Sequence, residues 1–199
     1  EAEAELTSHY LKMMEGQYLD ISFESEESVS VYQYLDMIER KTGALIEASI
    51  YLGSLVAPDS GPDRKKATAL KEIGYDLGRI FQIRDDLLGV WGGVETGKPV
   101  GADIKRKKKA LPAVHALSAS TGAAGERLKK IFLTEGELEQ KDVHIVLEEM
   151  ENLGTQDYCQ SMAEDRWLDC QRMIESLELS ETTADEFTEL GEFLLIRES

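Results

Sequence analysis

The segment FQIRDDLLGVWGGVETGKPVGADIKRKKKALP, residues 81–112, begins as a helix and holds the densest set of chemically active side chains in the chain. Two adjacent aspartates are followed by a glycine-rich loop with Lys98 and then by a run of lysines. Carboxylate oxygens bind Mg²⁺ in proteins, and lysines together with loop backbone bind phosphate groups. This order of residues indicates a site for a phosphorylated ligand.

The helix that opens this segment has two different faces. At 100° per residue, one arc is apolar and a second arc is polar. The apolar arc holds Leu77, Ile80, Phe81, Leu87, Leu88 and Trp91, and the polar arc holds Gln82, Asp85, Asp86 and Gly89. Two neighbouring carboxylates repel each other unless a cation lies nearby. An aspartate pair taken alone is more often a solvated helix face. Arg84 lies within the apolar arc, so it must find a partner or extend its charge to solvent.

The remainder of the chain also predicts helices. Prolines occur only at Pro58, Pro62, Pro99 and Pro112, and long proline-free stretches of helix-forming residues surround them. The periodicity predicts helices over 1–21, 29–55, 62–91 and 110–118, with a loop over 92–103. Three or four amphipathic helices follow in 122–199, separated at Gly136, Gly154 and 180–183. We expect one all-α domain over 1–199, with a motif-bearing part at 1–118 and accessory helices at 119–199.

The composition limits the possible partners. The net charge of −17 argues against nucleic acid, because phosphate backbones are bound by basic faces. We expect no membrane span, because no apolar run is long enough for one, and we expect no signal peptide. Two cysteines, Cys159 and Cys170, are too few for a disulfide scaffold, so we expect buried thiols and a cytoplasmic location. The opening EAEAEL has no methionine, which predicts a fragment or a processed product.

Some conspicuous features are not expected to form sites. The loop from Gly92 to Lys98 spells G-x-x-x-x-G-K, a near match to a P-loop. However, Pro99 replaces the required Ser or Thr, and a helix rather than a strand precedes the loop. Four large side chains near the start of the chain are expected to belong to the core: Tyr10, Met13, Met14 and Tyr18.

Five blocks of sequence, in a fixed order, resemble the trans-isoprenyl diphosphate synthases of the polyprenyl synthetase family. They are G-Q-x-x-D at 16–20, the lysine–threonine pair in YLDMIERKTGAL at 34–45, FQIRDDLLG at 81–89, GGVETGKP at 92–99, and D-x-x-x-x-K at 103–108, followed by Pro112. The resemblance implies an all-α helical bundle of the isoprenoid synthase type, represented by its later helices only.

The resemblance also implies an activity and a role for each matching residue. The reaction would be the Mg²⁺-dependent condensation of an allylic diphosphate with isopentenyl diphosphate, and the full-length form would be a homodimer. Asp85 would bind the metal, with Asp86 supporting it, while Gly89 stands where many members carry a third aspartate. The other expected substrate contacts are the diphosphate-binding cations Lys41, Lys98 and Lys108, the hydrogen-bond donors Gln17, Thr42 and Gln82, and Phe81 against the hydrocarbon chain. Lys41, Thr42, Gln82 and Asp85 would be the catalytic residues.

Part of the family's pattern is absent from this sequence. The first aspartate-rich motif, D-D-x-x-D, does not occur, nor do the arginine pair that follows it and the upstream G-K-x-x-R element. The first hypothesis is therefore a C-terminal fragment of a prenyltransferase, inactive by itself. The alternative is a non-catalytic partner subunit of a complete synthase. A terpene cyclase is disfavoured because its N-D-x-x-S-x-x-x-E motif is missing.

Overall fold

The computed structural model describes residues 2–56, 63–93 and 99–196, and within these ranges the regular structure is entirely helical. The α-helices are α1 (Ala2–Phe23), α2 (Val31–Ile38), α3 (Ala44–Val56), α4 (Arg64–Trp91), α5 (Ala102–Lys105), α6 (Leu111–Ala119), α7 (Gly122–Phe132), α8 (Gln140–Asn152), α9 (Thr155–Ser176) and α10 (Glu181–Ile196). A π-helical segment, Glu39–Gly43, joins α2 to α3. This architecture confirms the predicted all-α class.

Helix α4 is the central element of the fold. It begins at an N-cap, where the Asp63 side chain accepts hydrogen bonds from the backbone amides of Lys65 and Lys66. Over its 28 residues it packs against α3 and α9 and contributes to all three buried apolar clusters. Three residues of the predicted polar arc, Gln82, Asp86 and Gly89, are buried as well, because α2 and α6 cover that side, while Asp85 is only partly buried. Both faces of α4 therefore pack against other helices, and the polar arc is not a solvent-exposed face.

The helices that follow the motif-bearing part complete this core. Cys159 and Ala163 of α9 join the cluster that contains Ile83 and Leu87 of α4. Trp167 of α9 packs in the cluster formed by α4, α9 and α10. The described part of the chain after residue 121 forms four helices, as the glycine and serine breaks predict.

The π-helical segment is the main local feature that periodicity did not predict. A capping box starts α2, in which Ser30 and Gln33 exchange hydrogen bonds. The helix then widens by one turn at Glu39–Gly43 and continues as α3. Gly16 of α1 crosses this turn so closely that a β-carbon on it would overlap the backbone of Lys41. π-turns are frequent at functional sites, and this one carries the lysine–threonine pair.

Two side-chain expectations have clear outcomes. Arg84 does find a partner, because its Nη1 donates to Oε1 of Gln160 on α9 at 3.4 Å. The expectation that Tyr10, Met13, Met14 and Tyr18 belong to the core is wrong for three of the four. Met13 is partly buried. Tyr10, Met14 and Tyr18 are exposed, Tyr18 by 71%. They form one face of α1 together with two further residues, and this face is called the α1 apolar stripe: Leu6, Tyr10, Met14, Tyr18 and Ile21.

None of the helices in the described ranges has both the length and the apolar character that crossing a bilayer requires.

Candidate functional site

The Asp86 carboxylate lies at the centre of a buried polar network. It is 0% exposed, and each of its oxygens accepts two hydrogen bonds. Oδ2 accepts from the hydroxyl of Tyr34 and, at 2.9 Å, from the backbone amide of Leu111. Oδ1 accepts from Nε2 of Gln82 at 3.2 Å and from Nζ of Lys108 at 3.1 Å. A buried charge is tolerated only when it is paired in this way. Protein donors surround both oxygens and no surface is open, so this geometry favours a structural role for Asp86, and its predicted support of the metal stays a prediction.

Lys108 is held between two carboxylates. Its ammonium lies 3.1 Å from Oδ1 of Asp86 and 3.3 Å from Oδ2 of Asp103, while about a third of the side chain stays exposed, 34%. Burial alone would lower the pKa of Lys108, but the charges of Asp86 and Asp103 raise it above its ordinary value. The ammonium is therefore a permanent cation with a fixed position and an accessible side.

Gly89 allows Asp103 to reach this position. A β-carbon on Gly89 would overlap the carboxylate of Asp103, which is itself buried. The glycine in the motif is thus required by the close approach of a carboxylate from α5. Where the family often has a third aspartate at this position of α4, the Asp103 carboxylate of α5 occupies the space beside Gly89.

The π-helical segment joins the same network through Thr42. Its hydroxyl donates to Oε1 of Gln82 at 2.8 Å, and Gln82 in turn donates to Asp86. The neighbouring Lys41 forms an ion pair with Asp20 of α1. Residues from α1, the π-helical segment, α4 and the loop before α6 therefore lie near one another, although 88 positions separate Asp20 from Lys108 in the sequence.

Asp85 differs from its neighbour in its surroundings. It is only partly buried, and its charge contributes to raising the pKa of Lys108. Within the described ranges, no three His, Cys, Asp or Glu side chains converge on a common metal position. Mg²⁺ is commonly held by one or two carboxylates together with water and substrate phosphates, so a single partly exposed carboxylate beside a lysine fits this mode.

A cavity of about 460 Å³ borders this network. Lys108, Asp103 and Asp20 are among its lining residues, together with Phe132 and the cations that flank Lys108. Lys109 is the least available of these cations, because its ammonium donates to the carbonyl of Glu26 and burial lowers its pKa. Lys108 therefore lines a cavity that has both acidic residues, such as Asp20 and Asp103, and basic residues in its wall.

Two of the other predicted site residues lie apart from the network. Gln17 is exposed on α1, one residue beyond the close contact of Gly16. Phe81 is partly buried and packs against the cluster of α4, α9 and α10. Lys98 lies outside the described residues. The roles of these three residues stay predictions.

Tyr34 is the component of the network that sequence reasoning did not identify as a site residue. The YLDMIERKTGAL pattern contains it, but only as an apolar neighbour of the lysine–threonine pair. A signal was present, because a buried tyrosine normally needs a partner for its hydroxyl. Burial, followed by the charge of Asp86, raises the pKa of Tyr34 well above its ordinary value, so the hydroxyl remains a donor.

The two cysteines are buried free thiols, as predicted. Burial raises the pKa of Cys159 and that of Cys170 to about 12, and the nearby charges of Asp86 and Asp76, respectively, add to the effect. Such thiols are poor nucleophiles at neutral pH. The cellular compartment stays a prediction.

Known proteins are similar to this chain in sequence and in the arrangement of their helices. The chain is 34% identical to a short chain isoprenyl diphosphate synthase of Methanothermobacter thermautotrophicus over 199 residues, which are 100% of this chain and 59% of the relative. It is 43% identical to a (2E,6E)-farnesyl diphosphate synthase of Mycobacterium tuberculosis over 118 residues, 59% of this chain and 32% of the relative. The crystal structure of a polyprenyl synthetase from Streptomyces coelicolor A3(2) superposes with a TM-score of 0.87 at 31% identity, covering 98% of this chain and 59% of that one.

The chain thus spans about three-fifths of the length of the first of these relatives and of the crystal structure. The sequence profile of the polyprenyl synthetase family matches residues 2–150, which include every residue of the Asp86 network. The chain belongs to the polyprenyl synthetase family.

Proposed function

We propose that this chain forms the diphosphate-binding side of a prenyl diphosphate synthase, which joins an allylic diphosphate to isopentenyl diphosphate. The observation that carries the proposal is the position of Lys108. Its ammonium is fixed by two buried carboxylates, lies close to Asp85, and borders a cavity. A cation held in this way can bind a diphosphate without rearranging, which is the condition for electrostatic stabilisation of a leaving group.

The other residues of the network have complementary roles in this proposal. Lys41 and Lys108 contact diphosphate oxygens, and the Thr42 hydroxyl is oriented by Gln82. Asp85 is the carboxylate for Mg²⁺, and Asp86 supports Lys108 rather than the metal. When bound, Mg²⁺ would neutralise negative charge on the departing diphosphate. Asp20 partly neutralises the charge of Lys41. In this proposal Lys41 therefore binds the diphosphate while it remains paired with Asp20.

Prenyl transfer by these 199 residues alone is not expected, because they contain no D-D-x-x-D motif. The test incubates the chain with dimethylallyl diphosphate, isopentenyl diphosphate and Mg²⁺, and the products are extracted and separated by chain length. A parallel sample contains a co-expressed segment that carries the D-D-x-x-D motif of a relative. We expect elongation in the second sample only. Robust elongation by the chain alone would contradict the proposal.

The sharpest variant in the active sample is Asp85→Asn. The substitution keeps the size of the side chain and removes its charge, so turnover should fall by about two orders of magnitude or more, as for other lost electrostatic contacts to a transition state. Asp165→Asn is the matched control, since Asp165 is an exposed aspartate on α9. It should leave turnover unchanged.

A different outcome would favour the non-catalytic subunit. In that case the chain would change the rate of a complete synthase, and Asp85→Asn would leave this effect intact. Equal turnover of the parent and Asp85→Asn in the complemented sample would show that α4 does not carry the metal contact.

A further inference from the structure

Tyr34 occupies a fixed position behind the diphosphate-binding lysine. Its side chain is 1% exposed and packs in the cluster formed with Ile38, Ile83 and Leu111. Helices α2, α4 and α6 therefore fix the ring on several sides. Its hydroxyl donates to Oδ2 of Asp86, which lies 52 positions away in the sequence.

Asp86 separates Tyr34 from Lys108. One oxygen faces the rigid donors, Tyr34 and the Leu111 amide, and the other faces Gln82 and Lys108. A carboxylate that accepts hydrogen bonds at both oxygens cannot rotate about its Cβ–Cγ bond without losing some of them. The position of Oδ1, and with it the position of the Lys108 ammonium, is therefore determined in part by the Tyr34 hydroxyl.

We propose that Tyr34 is a positioning residue for diphosphate binding, which acts through Asp86 on Lys108. The inference rests on the proposed function, because it assigns Tyr34 to the same site. By donating to Oδ2, the hydroxyl stabilises the negative charge of Asp86 and fixes the orientation of the carboxylate plane. The two carboxylates therefore do not fully neutralise the Lys108 ammonium, which can still attract an external anion.

The physical consequence of removing the hydroxyl follows from the donor count. In Tyr34→Phe, Oδ2 keeps only the Leu111 amide, so Asp86 attracts Lys108 more strongly or turns towards it. Either change draws the ammonium inward and weakens its contact with an anion. The affinity for Mg²⁺–pyrophosphate should fall by about tenfold, which is the scale of one hydrogen bond to a charged group. Asp86 retains three donors, so the variant should still fold.

A double-mutant cycle tests whether Tyr34 acts through Lys108. Pyrophosphate binding in the presence of Mg²⁺ is measured by titration calorimetry for the parent, Tyr34→Phe, Lys108→Gln and the double variant. If Tyr34 acts through Lys108, the double variant binds no more weakly than Lys108→Gln. Full additivity of the two losses would overturn the inference, because a general loss of structural integrity would act independently of Lys108.

Tyr75→Phe is the matched control. Tyr75 of α4 also donates to a carboxylate, Oε2 of Glu39 at 2.6 Å. This contact connects α4 to the π-helical segment. We expect its loss to show no coupling to Lys108→Gln. Coupling of the same size would overturn the inference, since the effect would then follow from any lost tyrosine–carboxylate contact.

A second readout does not depend on ligand binding. The side-chain ammonium signal of Lys108, recorded by ¹⁵N NMR and assigned by its absence in Lys108→Gln, reports on the surroundings of the nitrogen. It should shift in Tyr34→Phe and stay in place in Tyr75→Phe. An unmoved signal in Tyr34→Phe would refute the positioning role. A parent chain that does not bind pyrophosphate would instead refute the proposed function, whatever the NMR signal shows.

Discussion

The carboxylate of Asp103 lies directly against the α-carbon of Gly89, in space that any side chain at position 89 would need. Asp103 is buried there and pairs with Lys108 at 3.3 Å. The motif DDLLG and the element D-x-x-x-x-K are therefore one structural unit. The glycine leaves space that an aspartate from α5 occupies.

Gly89→Asp should not add a metal ligand. The new side chain would overlap Asp103, push it away from Lys108 and place a third carboxylate next to Asp86. Overfilling a packed site costs typically about 1–3 kcal/mol, and the added charge acts in the same direction. Urea unfolding should therefore show a lower free energy of unfolding. Gly53→Ala is the control, because Gly53 in α3 has no neighbour within 4 Å; it should be neutral or stabilising, as alanine is in helix interiors. A Gly89→Asp variant as stable as its parent would contradict this prediction.

Asp86→Asn and Asp85→Asn should differ in their effect on stability. Removing the charge of Asp86 leaves the buried network with a mismatched donor and breaks the pair with Lys108. The loss of one partner of a buried pair costs about 3–5 kcal/mol in other proteins, and the exposed side of Lys108 places the expected value at the lower end. Asp85 is partly exposed, so its substitution should change the free energy of unfolding by about 0.5 kcal/mol or less. Equal destabilisation in urea titrations would contradict the distinction drawn between these neighbours.

Much of the fold was predictable because helix periodicity is a local property. The helix over 62–91 and the breaks at Gly136 and Gly154 follow from spacing and from residue types that end helices. The site was predictable only in part. The resemblance identified Lys108, Thr42 and Gln82, which the structure brings into one network.

The remaining features depend on which surfaces meet, and a single sequence does not contain that information. The two aspartates of α4 are chemically identical in sequence, yet contacts from α2 and α6 bury Asp86 and leave Asp85 partly exposed. The π-turn arises where Gly16 of α1 crosses Lys41, 25 residues later in the sequence. Tyr18 was expected in the core because it is a large side chain, but the sequence could not show that no described helix covers its face of α1.

The α1 apolar stripe should bind a hydrophobic dye. Large exposed apolar patches mark interaction sites or surfaces prone to aggregation. We expect the fluorescence of anilinonaphthalene sulfonate to increase on mixing with the folded chain. A triple variant, Tyr10→Ser, Met14→Gln and Tyr18→Ser, should lose most of this signal with little change in unfolding free energy, since all three side chains are exposed.

Tyr32→Ser is the control for the stripe. Tyr32 is more exposed than any of the three, at 81%, but it lies at the start of α2, outside the stripe. Its substitution should leave the dye signal nearly unchanged. A triple variant that binds the dye as strongly as the parent would show that the signal comes from another surface.

A buried aspartate outside the site provides a test of pH dependence. Asp76 of α4 is 7% exposed, and its Oδ1 has no hydrogen-bond partner among the described residues. Burial raises its pKa above the ordinary 3.8, and the nearby charges of Asp169 and Glu72 add to this. Arg166 and Arg79 oppose the shift without cancelling it. The carboxylate therefore binds a proton more readily in the folded chain than in the unfolded chain.

The sign of the effect on stability follows from proton linkage. Between pH 3.8 and the raised pKa, the folded state holds more protons than the unfolded state, so the contribution of Asp76 to stability falls as pH rises. Above the raised pKa the ionised carboxylate lowers the free energy of unfolding by a constant amount.

Asp76→Asn keeps the shape of the side chain without its charge and should raise the free energy of unfolding at pH 7. This gain should shrink towards zero as the pH falls below 3.8. Urea titrations of the variant and the parent across this range measure the difference directly, with the exposed Asp165→Asn as the control that shows little gain. If Asp76→Asn were destabilising at pH 7, the favourable contacts with Arg166 and Arg79 would outweigh burial, and the direction of the pKa shift assigned to Asp76 would be wrong.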